Sequence, residues 1–418
     1  MRQQTRGCFG TLLLAVPLAV HADWPAWRGP DSNAYIAESS LPAQIDPQAN
    51  LLWKVDLPGP GASTPIHTAG AIYVTCEIDG QDALVGYDSQ GDERWRCLLG
   101  PTRSGRHRNA TGANPSAVTD GATVFAYFKS GRLAAVSTEG ERLWQRELQD
   151  DFGADTLWWD LGTSPILTPA GVLIAVLQAG DSYLVTFDPA DGSVVWKQQR
   201  VFERPEESDQ AYTTPILTTT EHGPTIVVWG ADHVTGHDTE TGAELFRCGG
   251  FNPSDTPMWR AIASATVAGD KLIVPYGRAD FVGAMRLGGV ADTTAEQRLW
   301  TTQGVGSDVP CAVIAGGRAY LLGDKGVVAC LDIETGDELW RTKLPRSKNK
   351  YFASPLLAGT LMYCFREDGA GFVLRVADDG AEVIDECDLG ETLVASPVPL
   401  GDDRLLVRTR EALYCFGG

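Results

Sequence analysis

The 418-residue chain contains no Cys-x-x-Cys, no Cys-x-x-Cys-His and no adjacent cysteine pair. Those absences remove the usual sequence signs of a redox dithiol, a covalent haem and a vicinal disulfide. Its cysteines stand singly, and the eight beyond residue 22 (Cys76, Cys97, Cys248, Cys311, Cys330, Cys364, Cys387 and Cys415) mostly lie in apolar, strand-like runs. Buried thiols are the expectation, with their pairing left open. No order of Ser, His and Asp suggests a nucleophile elbow. Positive charge is also scarce: 34 Lys+Arg face 54 Asp+Glu, a net charge of −20, so nucleic acid and anionic membrane surfaces are disfavoured as partners of the body. Apolar stretches spaced at 3.6 residues are missing, which argues against helices.

The longest apolar run, Phe9 to Val20, follows Arg2 and Arg6 and precedes Val20-His21-Ala22. It falls short of the roughly 20 residues a spanning helix needs and reads as a secretory signal peptide over 1–22. A periplasmic or extracellular protein without membrane insertion is expected, with an N-terminal arm over 23–50.

What the chain has is a sentence said many times. "LDIETGDELW" ends at Trp340, "FDPADGSVVW" at Trp196, "YDSQGDERW" at Trp95 and "HDTETGAELF" at Phe246, with looser copies ending at Trp144 and Trp300. Between them recur Ser/Thr-Pro and two short β-branched runs. Pro65, Pro115, Pro165 and Pro215 are followed by Ala265, Pro310, Pro355 and Pro397, at intervals of roughly 40–50 residues, the period of a four-stranded propeller blade. This predicts an all-β, eight-bladed β-propeller over 51–418. The last copy supplies only three strands, and "LLWKVDL", Leu51 to Leu57, stands ready to complete it and remove an open edge. In each turn, Asp can bond its own backbone and Gly can take a positive φ. The aromatic residues Trp53, Trp95, Trp144, Trp196, Phe246, Trp300 and Trp340 are expected to staple neighbouring blades. Asp-rich turns such as those at Asp188 and Val376 lack the register of a Ca²⁺ loop and are read as hairpins, so no metal site is assigned.

The pattern best kept in "ACLDIETGDELW" resembles the pyrroloquinoline-quinone (PQQ)-like repeat propellers, and "DWPAWRGP" and "LVRTREALYCFGG" look like the ends of an exported subgroup. The resemblance implies two kinds of member. One is the quinoprotein dehydrogenase, with PQQ, Ca²⁺ and an Asp base in the channel. The other is the noncatalytic propeller, including the barrel-assembly lipoprotein of the bacterial outer membrane, which binds partner proteins. Without the adjacent cysteines and the long insertions of the dehydrogenases, no cofactor or catalytic residue is expected.

Candidate binding residues come from the connections between each tryptophan strand and the next Pro strand, which a propeller gathers on one face. They are Arg103, Arg106, Arg108 and Asn114, then Trp158, Trp159 and Asp160, then Tyr212, Trp259, Arg260, Asp308, Lys350 and Tyr351. Loops of this kind on a rigid scaffold are common binding sites. The basic runs "RSGRHR" from Arg103 and "RSKNK" from Arg346, with Arg260, are expected to form an electropositive ring at the mouth, off-centre toward the first five blades. The reading is a monomeric, exported, noncatalytic propeller that binds a partner protein or an anionic ligand; the alternatives are a PQQ/Ca²⁺ dehydrogenase and a polysaccharide-binding module.

Overall fold

The computed structural model describes residues 23–418. The leader assigned to 1–22 lies outside the described residues. Eight antiparallel sheets follow one another in chain order, each built from an inner strand outward. Blade 1, for example, comprises Ile66–Thr68, Ala71–Ile78, Gln81–Tyr87 and Glu93–Pro101. Blades 2 to 8 span 118–147, 166–199, 216–248, 266–303, 313–343, 356–388 and 398–417. Inner and middle strands read as near-continuous buried runs because both faces are covered by neighbouring blades, whereas outer strands such as Glu338–Lys343 alternate with solvent. Among the described residues the helical content is two short turns, Leu148–Phe152 and Thr294–Gln297.

The ring closes as the sequence predicts. Leu51–Asp56 pairs antiparallel with Ala412–Gly417, from Leu51 opposite Phe416 to Asp56 opposite Ala412, and becomes the outer strand of blade 8.

The repeated turn and the repeated tryptophan prove to be two halves of one contact at five blade junctions; Trp340 departs from it, buried with its indole N–H unpartnered and with nothing over Gly380 in the turn of blade 7. Trp53, Trp95, Trp144, Trp196 and Trp300 lie over Gly91, Gly140, Gly192, Gly242 and Gly336 in the turn of the next blade, so close that a Cβ there would collide with the ring. Each indole also donates its Nε1–H into that turn, for example Trp300 to the Ile333 carbonyl at 3.0 Å and Trp196 to the Thr239 carbonyl at 3.0 Å. A β-bulge beside every one of these residues re-aims the side chain toward the neighbour. Phe246 fills the place in blade 4 and is fully buried, covered by the added parallel strand Ala291–Asp292. In blade 7 the equivalent position is Asp385, opposite Val373 at the bulge. There the N-terminal arm takes over: the Ile45 N–H donates to Asp385 Oδ2 at 2.7 Å, and Ile45 is fully buried.

The arm does more than fill that slot. Trp24 bridges His67 in blade 1, the Thr119 N–H of blade 2 donates to the Pro25 carbonyl, and Tyr35–Ile36 adds to blade 7 as a parallel strand. Between these points the fully buried Arg28 donates to the Ala265 carbonyl at 3.3 Å, to Thr266 Oγ1 at 3.0 Å and to the Ala312 carbonyl, in blades 5 and 6. Contacts with blades 1 and 2 on one side and 5 and 6 on the other carry the arm across the central channel. Burial pushes the Arg28 guanidinium below its usual range, and its carbonyl partners stand in for the missing carboxylate.

All eight cysteines among the described residues are unpaired, and seven of them are buried. Desolvation raises the Cys364 and Cys415 thiols, as expected of thiols packed in strands.

Candidate functional site

Two residues before each inner strand, one polar side chain reaches the neighbouring blade. The Thr64 N–H donates to Ser116 Oγ at 2.9 Å, Ser116 to Ser164 Oγ at 3.0 Å, Ser164 to Thr214 Oγ1 at 3.0 Å and Thr214 to Ser264 Oγ at 2.9 Å. From Ser264 the circuit runs to Cys311 Sγ at 3.1 Å, from Cys311 to Ser354 Oγ at 2.9 Å, from Ser354 to Ser396 Oγ at 3.1 Å, and from Ser396 back to Thr64 Oγ1 at 3.0 Å. This closed ring of eight hydrogen bonds encircles the channel. It also corrects the repeat register: Pro115 and Pro310 precede the ring residue, whereas the other prolines follow it, so the spatial equivalents of Pro65 are Ala117 and Ala312 in those blades.

Above the ring lies a cavity of about 410 Å³. Thr64, Ser116, Ser164, Ser354 and Ser396 of the ring line its wall, the inter-blade loops form its mouth, and Trp27 from the crossing arm reaches it from the opposite side. The channel is thus a blind cup. Its size suits a small-molecule site.

Of the candidates drawn from the sequence, Asn114, Trp159, Asp160, Tyr212, Arg260, Asp308 and Lys350 line the cup. Asp160 is buried, and it accepts the N–H groups of Arg106 and His107, both at 2.8 Å, and the ammonium of Lys129. Asn114 Nδ2 donates to the Leu161 carbonyl at 3.1 Å. Trp159 donates its backbone N–H to the Tyr212 hydroxyl at 3.0 Å and its indole N–H to Glu207 Oε1 at 2.6 Å. Glu207 also holds Arg260 at 3.3 Å, and the Arg260 guanidinium lies 5.9 Å from the Trp159 ring centroid. This buried Glu207 has φ = 62°, a left-handed conformation that costs a non-glycine residue of order 1–3 kcal/mol and that clusters at functional sites.

The remaining candidates fall elsewhere. Trp158 stands on the rim, 56% exposed. Trp259 packs against Tyr276 and Phe281, with centroids at 6.2 and 5.5 Å, and Tyr351 is buried against Phe372. Arg103 is paired with Asp155, and Arg106 reaches the Trp158 carbonyl. The electropositive ring is accordingly revised. Its two basic runs do meet on one face: Arg108 binds Glu367 Oε2 at 2.7 Å, and the Lys350 N–H donates to Glu367 Oε1 at 2.9 Å. Yet Arg103, Arg108 and Arg260 each hold a carboxylate, so three of its seven cations are neutralised in place.

Sequence reasoning missed Trp27, His107, Asn109, Arg278, Phe352 and the ring hydroxyls. His107 sits between Trp159 and Phe352, at 6.2 and 6.0 Å. A small polar residue next to every inner-strand proline was the one signal that could have found the ring.

Both carboxylates lining the cup are committed, Asp160 to Lys129 and Asp308 to Arg278 at 3.6 Å. Among the described residues no three His, Cys, Asp or Glu side chains converge as metal ligands. His233 and His237, four apart on one strand, are separately engaged, the first stacked on Phe202 at 4.0 Å and the second bonded to Thr235 and Gly242.

The model of the family described as outer membrane protein assembly factor BamB matches residues 41–176 and 286–383. BamB from Moraxella catarrhalis superposes with a TM-score of 0.64 at 15% identity, over 88% of this chain and 99% of that one. The quinohemoprotein alcohol dehydrogenase from Comamonas testosteroni gives 0.69 at 12% identity, over 95% and 80%. A europium-containing methanol dehydrogenase gives 0.69 at 11%, over 95% and 98%. At such identities the structures share the fold alone. No curated protein matches the sequence. With the family model matching more than half of its length and eight four-stranded blades on view, the chain belongs to the PQQ-like repeat β-propeller family represented by the BamB description.

Proposed function

We propose that this is an exported, noncatalytic propeller that docks a partner protein on the mouth face. One observation carries the reading: exposed apolar side chains cluster on rim loops that are locked to one another. Trp158, Trp159, Val201 and Met258 are 56%, 37%, 48% and 42% exposed. Their loops are cross-tied by the Trp158 N–H to Gln210 Oε1 at 2.7 Å, the Met258 N–H to the Glu206 carbonyl at 2.8 Å and the Trp259 N–H to Ser208 Oγ at 2.9 Å. Held in place before binding, such side chains lose little freedom on contact, which favours affinity. The patch lies toward blades 2 to 5. The family's description as an outer membrane protein assembly factor supports a role in protein association, and the leader assigned to 1–22 supports export. No helix among the described residues is long and apolar enough to cross a membrane.

The test is capture of binding proteins from the envelope fraction of the source cell. Trp158→Ala with Met258→Ser is expected to abolish capture at unchanged melting temperature, while Val290→Ser, a 75% exposed site away from the rim, leaves it intact. Capture that survives the double change would overturn the reading. Reversing Arg108 or Arg260 to Glu is a poor test, because each faces a buried glutamate, Glu367 or Glu207.

A further inference from the structure

The cup wall offers more hydrogen-bond donors than it uses. Each of the five ring hydroxyls lining it accepts one backbone N–H, and none donates its own O–H proton to another group among the described residues. Arg260, its side chain nine-tenths buried, spends Nη1 on Glu207; its Nε is buried without a partner, and Nη2 makes no hydrogen bond among the described residues. The cup's charges otherwise cancel: Asp160 against Lys129, Asp308 against Arg278 and Arg260 against Glu207. Lys350 has no carboxylate at contact distance among the described residues, its charge acting only on the more distant Asp324, and it keeps its ammonium donors for a ligand.

With the carboxylates of Asp308, Asp324 and Glu207 close by, a singly charged anion fits better than a phosphate, which brings about −1.5 to −2. Undonated hydroxyls suit a ligand rich in oxygen acceptors, and the flat faces of Trp27, Trp159 and Phe352 suit a compact ring. We infer that the cup binds a hydroxylated monocarboxylate, a sugar acid by class. Lys350 and the spare Nη2 of Arg260 meet its carboxylate, and the ring hydroxyls meet its oxygens. This deepens the reading of the mouth as a binding face and places a small-molecule subsite beneath the protein-docking rim.

The experiment is calorimetric titration of the purified protein with D-galacturonate, with neutral D-galactose, and with an acetylated trialanine bearing a free C-terminal carboxylate. Galacturonate is expected to bind at least tenfold more tightly than the other two. Lys350→Gln, at an exposed position, should erase the preference over galactose without altering the melting temperature. Equal binding of galactose, tighter binding of the tripeptide, or no heat with galacturonate would each overturn the inference. Because the titration needs no partner, its failure is distinguishable from a failure of envelope capture.

Discussion

Trp300 and Gly336 show how a residue can be legible in sequence while its partner is not. The turn "DIETGDELW" carries Gly336 for its positive φ of 74°, and the local pattern explains that choice. The space above it, occupied by the indole of Trp300 from the preceding blade, belongs to another repeat. Removing the ring or crowding its seat should therefore have similar consequences. Trp300→Ala is expected to lower stability by roughly 3 kcal/mol. Gly336→Ala should do so as well, since it adds left-handed strain of roughly 1–2 kcal/mol to a collision with Trp300. Urea unfolding measures both, and galacturonate titration of the folded variants should match wild type. A midpoint unmoved by either change would refute the staple. Charge was less legible than packing. Arg108 looked free in "RSGRHR", but its carboxylate, Glu367, stands 259 residues away and in space is its bidentate acceptor at 2.9 and 2.7 Å.

At the scale of the element, every inner strand is announced by a small polar residue two positions earlier, and these residues form the encircling ring. The proline marks misregister two blades because proline is tolerated on either side of the ring position, so its spacing follows the chain and not the hydrogen bonds. Cys311 is the thiol among seven hydroxyls, and it receives the Ser264 N–H at 3.1 Å. Cys311→Ser keeps an acceptor and is expected to leave the melting temperature within a degree or two of wild type. Cys311→Val strands a buried N–H, which costs about 1–3 kcal/mol. Thermal melts of the pair decide the point, and equal destabilisation by both would show that side-chain volume, not the acceptor, matters there. The blades and their closing strand were readable because period and alternation are local signals. The floor of the cup was not, since the position of Trp27 depends on Arg28 reaching Ala265 and Ala312, more than 230 residues onward.

The whole molecule is a circle whose clasp joins residues 51–56 to 412–417. A chain starting after Leu57 loses both the clasp and the arm, so blade 8 keeps an unpaired edge and the channel loses its Trp27 floor. Such a truncation is expected to aggregate and to lose galacturonate binding; a monomer with the wild-type melting temperature would contradict it. The same clasp sets an order in time. The strand synthesised before any blade is the last to find its partner, and it must stay unpaired while seven sheets assemble beside it. Contacts of such long sequence separation form slowly, so residues 51–56 stay unpaired for the longest part of folding and blade 8, once formed, presents an adhesive edge until they arrive. The protein's hazard is therefore greatest just before it is complete.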